Sequence, residues 1–139
     1  MEFPYVAATV GAVLIILQQV LMMMAGAHRG KAMVGVGVGS DLDLERKVRR
    51  HGNLAENAAI FLVVLSFAEI LSGGGAIVTT LGAVFLFARI LHVIAFASLT
   101  GSHLKDGSKI FTLCRMGGAL GSGLSGIGLG LYLLYMLLA

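Results

Sequence analysis

Residues 49–71 read RRHGNLAENAAIFLVVLSFAEIL, a cluster of charged and polar side chains running directly into an apolar stretch. Such side chains at the mouth of an apolar helix cost free energy unless a partner meets them. The stretch therefore implies two things together. A helix crosses a lipid bilayer, and a ligand or another helix satisfies the polar groups at its entrance.

The rest of the chain agrees. Apolar residues make up 58% of the 139 positions and charged residues only 12%, with a mean hydropathy of +0.94. Soluble domains carry about 25% charged residues. Apolar stretches occupy about residues 5–27, 54–71, 76–99 and 110–138. Each approaches or exceeds the roughly 20 residues that span a hydrocarbon core. The expected fold is an all-α integral membrane four-helix bundle in a single domain, with helices at about 5–27, 41–72, 76–99 and 109–138. The first stretch lacks a basic segment before it and is too long for a leader's apolar region, so it reads as a retained helix.

Nine of the ten Lys and Arg residues gather at the first connection (Arg29, Lys31, Arg46, Lys47, Arg49, Arg50) or around the third (Lys105, Lys109, Arg115). The second connection, Ser72-Gly73-Gly74-Gly75, has none. The positive-inside rule then places connections one and three in the cytoplasm and both termini outside. The net charge of +3 reflects that face and gives no reason to expect nucleic acid. Cys114 is the single cysteine, which excludes an intrachain disulfide and offers no metal framework.

Local signals mark the helix ends. The run Val34-Gly35-Val36-Gly37-Val38-Gly39 has no GxGxxG and no Gly-Lys-Ser/Thr, so it reads as a flexible connector. Ser40 is expected to cap the second helix, with Asp41 and Asp43 in its first turn and a charged, solvated beginning. Gly73–75 break that helix, and Ser108 is placed to cap the last one. Small residues at four-residue spacing, as in Gly118-xxx-Ser122-xxx-Gly126, let helix backbones approach closely in lipid.

Three polar groups within the apolar helices are candidates for chemistry. Arg49, Asn53 and Glu56 stand at i, i+4 and i+7 on one helical face, with Arg50 and Asn57 on the adjoining stripe and His51 directed elsewhere. That face suits either an Arg49–Glu56 network between helices or a small zwitterion, with arginine on a carboxylate and Glu56 on an ammonium. Arg89 lies deep in the third helix and shares a face with His92 and Phe96; Glu56 is its expected partner. Arg115 comes one turn inside the last helix, where it either snorkels to the headgroups or stands beside a reacting group. Glu69 reads as an interfacial residue near the opposite end of the second helix.

The motif Arg-x-His-x-Asn-x-x-Glu at residues 49–56, the Arg-x-x-His of the third helix and the arginine opening the fourth resemble the membrane-associated proteins in eicosanoid and glutathione metabolism, the MAPEG family, and among them bacterial microsomal-type glutathione transferases. The resemblance covers nearly the whole chain. It implies a homotrimer in a bacterial inner membrane, with glutathione as co-substrate held between subunits on the cytoplasmic side and a lipophilic electrophile or lipid arriving from the bilayer. It implies glutathione contacts from Arg49, His51, Asn53, Glu56, Asn57, Arg89, His92, Phe96 and Arg29, and stabilisation of the thiolate by Arg115. Peroxidase activity toward lipid hydroperoxides is a second activity that it allows. The chain departs from the pattern at Asn57 and Phe96, where many members carry aromatic hydroxyls, and at His92. Some members of the family bind lipids without catalysis, so a non-catalytic lipid- or thiol-binding trimer is the alternative. A transporter gains no support, since neither a repeat nor a pair of broken helices is present.

Overall fold

The first helix begins at Tyr5 without a capping side chain of its own. Its amino-terminal N–H groups are satisfied from across the bundle instead. In the computed structural model, which describes residues 3–102 and 108–139, Glu69 accepts hydrogen bonds from the backbone N–H groups of Val6 and Ala7, both at 2.8 Å. Helix termini leave such donors unpaired, and a carboxylate there also meets the positive end of the helix dipole. Glu69 is only 6% exposed, so near the end of α2 it serves as a buried cross-helix cap.

Four long helices carry the fold: α1 (Tyr5–Ala32), α2 (Leu42–Ser72), α3 (Ala76–Ala95) and, after a single short turn α4 (Leu99–Ser102), α5 (Lys109–Leu138). All four long helices are sufficiently long and apolar to cross a membrane, as a multi-pass membrane protein requires. The described residues contain no strand. α2 and α3 each contact both α1 and α5, and the most extensive packing joins α3 to α5. At most a third of each apolar spanning window is buried within the chain, which leaves the remaining apolar faces for lipid or for other subunits.

Buried residues recur at helical spacing. Ala7, Val10, Leu14, Leu21 and Ala25 form the inner stripe of α1, and Leu54, Phe61, Leu65 and Ala68 that of α2. The Phe61 and Phe85 rings stack at 3.6 Å between α2 and α3. The small residues of α5 seat it on α3. A Cβ on Gly118 would lie 2.8 Å from the Ala88 carbonyl and from His92, and one on Gly121 would lie 2.9 Å from the Ala88 Cβ. Gly123, Gly126 and Gly130 meet nothing so close within the chain. Part of the glycine pattern therefore serves α3–α5 packing, and the rest faces outward.

Several helix ends differ from expectation. α1 runs on to Ala32 and closes with Met33 in the left-handed region, while Arg29 donates to the Gly37 carbonyl at 2.6 Å and draws the glycine-rich connector back on itself. Asp41, not Ser40, caps α2, accepting from the N–H groups of Asp43 and Leu44. The start of α2 is not a solvated projection: Leu44 is fully buried and Arg46 nearly so. Gly73 ends α2 at φ 70, and Gly74 and Gly75 also hold positive φ, so this turn needs glycine. α3 stops at Ala95, earlier than its apolar pattern suggests. Ser108 precedes α5 but makes no side-chain cap. Lys105 and most of the polar connection around it lie outside the described residues.

Candidate functional site

The early end of α3 has a cause in two arginines of α2. A helix leaves its last four carbonyls unpaired, and cations are favourable at that terminus. Arg50 Nε donates to the Val93 carbonyl at 2.9 Å, and Arg46 Nη1 donates to the carbonyl of Phe96, the C-cap residue. Arg46 is held in turn by Asp43, which also pairs with Lys47 at 2.9 Å. Lys47 donates to His28 Nδ1 at 2.7 Å, so the proton of a neutral His28 sits on Nε2 and points at Asp41, 2.8 Å away. The Leu44 N–H, then His28, hold the Asp41 carboxyl below its ordinary pKa.

This polar chain gathers α1, α2 and α3 at one end of the bundle and leaves an open cleft beside it. The cleft has a volume of about 420 Å³ and is lined by Leu42, Glu45, Arg46, Arg49 and Asn53 of α2, His92 of α3 with its cap Phe96, and Arg115 and Ala119 of α5. Three arginines and one carboxylate thus converge where three helices meet. The Arg115 guanidinium lies 4.9 Å from the centre of the Phe96 ring, within cation–π range. His92 packs against the same ring at 5.1 Å. The volume falls within the usual range of small-molecule sites, about 300–1,000 Å³.

The structure brings together five of the residues that the sequence singles out: Arg49, Asn53, His92, Phe96 and Arg115. The others lie elsewhere. His51 turns toward α1, with its Nε2 2.7 Å from Gln18 Nε2. Arg29 is engaged by the connector. Asn57 donates to the Asn53 carbonyl at 2.8 Å and opens a second, apolar groove of about 280 Å³ with Ile60, Phe61, Phe85 and Ser122. Glu56 is exposed. No Arg49–Glu56 ion pair forms among the described residues.

Arg89 is buried at 3% exposure, and Glu56 is not its partner. Its guanidinium donates to the Gly118 carbonyl of α5 at 3.0 Å and, more weakly, to the Asn53 carbonyl of α2 at 3.4 Å. The side chain of Ser122 donates to the same Gly118 carbonyl at 2.7 Å. Arg89 is therefore a tie across α2, α3 and α5 beneath the cleft. Its Nε has no partner among the described residues.

Four lining residues, Leu42, Glu45, Arg46 and Ala119, are absent from the sequence-based candidates, and two of them, Glu45 and Arg46, are charged. A signal for the charged pair exists: Glu45 and Arg46 stand four and three residues before Arg49, so the polar face of the motif extends toward the start of α2.

The MAPEG family model matches residues 7–121, from the first turn of α1 through the glycine contact of α5. The chain belongs to the MAPEG family. That match takes in every residue of the cleft and the four-helix arrangement that frames it. No curated protein gives a match to the chain. The MAPEG family includes glutathione transferases together with related proteins.

Proposed function

We propose that this MAPEG protein is a membrane-bound transferase that joins the glutathione thiolate to lipophilic electrophiles. The observation that carries this reading is the cleft at the junction of α2, α3 and α5, where Arg46, Arg49 and Arg115 converge with Glu45 and Asn53. Glutathione has two carboxylates, one ammonium and one thiol. Arg49 matches a carboxylate, Glu45 the ammonium and Asn53 the peptide groups, while Arg46, held by Asp43 and the Phe96 carbonyl, adds fixed positive charge to the wall.

Arg115 is the residue assigned to the thiol. A thiol near pKa 8.5 is mostly protonated at neutral pH. A neighbouring guanidinium favours the anion; lowering the thiol pKa by about one to two corresponds to about 1.4–2.7 kcal/mol. The thiol proton leaves to solvent. The sulfur lone pair then forms a C–S bond to the electrophilic carbon, and the leaving group departs with the electrons of its own bond. The cleft supplies proximity and thiolate activation, the two effects on which this chemistry depends.

Arg29, His51, Glu56 and Asn57 lie outside the cleft wall of the single chain. In the proposed homotrimer a neighbouring subunit against α2 would bring further groups to the site, in keeping with the apolar surface that each helix leaves uncovered. The charge distribution supports a cytoplasmic cleft and termini on the opposite side.

The test is a glutathione titration of purified protein in detergent, followed by thiolate absorbance. A saturable thiolate signal that is lost in Arg115→Ala, with binding retained and turnover of an aromatic electrophile reduced about 10- to 100-fold, is the expected result. Normal turnover in Arg115→Ala would remove that residue from the mechanism. Saturable binding without thiolate would favour the non-catalytic thiol-binding alternative.

A further inference from the structure

The cleft depends on a residue that does not line it. Asp43 faces away from the cleft wall, between Lys47 and His28 on one side and Arg46 on the other. Arg46 makes two bonds to Asp43 Oδ1, through Nε and Nη2, and spends its remaining arm on the Phe96 carbonyl. Its guanidinium is therefore a rigid strut between the first turn of α2 and the cap of α3. A lysine presents a single head and cannot form such a fork.

Phe96 is the pivot of the arrangement. Its backbone is the C-cap of α3, at φ -102 and ψ 22, outside the helical run of hydrogen bonds. The Phe96 and Ala97 N–H groups bond to the Ile94 carbonyl, and the arginines of α2 take the carbonyls of Val93 and Phe96. Its ring meets Arg115 on one side and His92 on the other. Movement of the cap would displace the ring, and with it the surface against which the Arg115 guanidinium lies. Four elements are thereby joined in sequence: the connector after α1, the start of α2, the end of α3 and the beginning of α5.

We infer that Asp43 is a positioning residue for the thiol site: by clamping Arg46 onto the Phe96 carbonyl, it sets where Arg115 stands relative to a bound thiol. This rests on the reading of the cleft as a glutathione site. The groups that face Asp43 are His28 from α1, Asp41 from the connector, and Arg46 and Lys47 from α2. None of them except Arg46 lines the cleft. Neutralising Asp43 thus leaves every cleft side chain in the sequence; besides the clamp it removes the pairing with Lys47 and His28, and the Lys47 variant tests that charge separately.

The experiment compares wild type, Asp43→Asn, Asp43→Glu and Lys47→Gln in detergent. Bound-thiolate absorbance is recorded against pH, with kcat and KM for glutathione and thermal unfolding alongside. In Asp43→Asn the thiolate midpoint should rise by about half to one pH unit, a three- to tenfold loss of thiolate below the midpoint. Turnover should fall by a similar factor while KM for glutathione stays within about twofold. Asp43→Glu should recover most of the midpoint, because the carboxylate is restored. Lys47→Gln should follow wild type, since it removes a charge beside Asp43 but leaves the clamp.

A wild-type midpoint in Asp43→Asn overturns the inference. So does a shift of equal size in Lys47→Gln, which would make the effect one of general charge. If Asp43→Asn does not assemble, Arg46→Lys replaces it and must show the same rise; an unchanged midpoint there overturns the inference equally. The wild-type arm separates the two readings. Without any thiolate in wild type at millimolar glutathione, the proposed function fails and takes this inference with it; with thiolate present, the variants decide the inference alone.

Discussion

The two ends of the bundle handle charge in opposite ways. At the end that carries the second connection, one carboxylate has a single structural role. Glu69 accepts two N–H groups of α1 and is buried there. At the other end, Asp41, Asp43, Arg46, Lys47 and Arg50 are tied to helix termini or to one another, yet Arg49 and Glu45 remain exposed along an open cleft with Arg115. Burial and pairing consume polar groups that hold the fold. The exposed polar groups along the opening, Arg49 and Glu45, are those available to a ligand. By this comparison Arg89, which lies in the middle of a helix, belongs with Glu69: both are consumed by backbone partners.

The contrast can be broken most severely at Glu69. Glu69→Ala leaves the Val6 and Ala7 N–H groups without an acceptor; each such loss costs about 1–3 kcal/mol, and a bilayer supplies no water to replace it. Unfolding in detergent should register a loss of about 2–5 kcal/mol, with the cleft residues intact. Full stability in this variant would show that the cap is dispensable.

The next effect belongs to the α3–α5 seam. Gly118→Ala places a Cβ 2.8 Å from the Ala88 carbonyl and from His92, so α5 must shift; overpacking of this kind costs about 1–3 kcal/mol. Gly123→Ala, where a Cβ meets nothing within the chain, should leave the isolated subunit's packing unchanged. Equal losses in the two variants would mean that Gly123 is packed against something outside this chain.

At the cleft the comparison predicts the reverse pattern, small in stability and large in ligand binding. Arg49→Gln removes an exposed side chain and should shift stability by no more than about 0.5 kcal/mol. Glutathione affinity, measured by calorimetry, should fall by about tenfold or more, as expected for loss of a charge-assisted hydrogen bond. An unchanged affinity would remove Arg49 from the site.

The smallest effect is a pH dependence at the α2 cap. The Leu44 N–H and His28 lower the Asp41 pKa in the folded chain, so its contribution is present above the ordinary aspartate pKa and is lost as pH falls through the lowered folded value. Stability should therefore decline slightly more steeply below about pH 4 in wild type than in Asp41→Ala, by parallel denaturation curves. Superimposable slopes would show that Asp41 does not contribute to acid sensitivity.

The apolar stretches, their lengths and the glycine triplet at 73–75 are enough to specify four membrane-length helices and the turn between α2 and α3. Five cleft residues are also readable, because Arg49, Asn53, His92, Phe96 and Arg115 are polar or aromatic at positions where an apolar helix has no need of them. The sequence points wrongly to Glu56 as the partner of Arg89 for a reason of the same kind. A buried arginine requires an acceptor, and a carboxylate is the acceptor most visible in a sequence. The acceptors used are the carbonyls of Gly118 and Asn53, which carry no mark because every residue has one.

That asymmetry separates what the chain's sequence determined from what its tertiary structure decided. Hydropathy and glycine placement depend on side-chain identity and local backbone freedom, so the sequence by itself determined the helices, the turn after α2 and the end of the bundle that gathers charge. The assignment of each charge to a helix terminus, a neighbouring carbonyl or an open cleft depends on distances between segments far apart in the chain. Glu69 reaches the start of α1 across 62 residues, and Arg46 reaches the cap of α3 across 50. Only the packed bundle decides these pairings, because backbone donors and acceptors are everywhere alike until folding brings particular ones within reach.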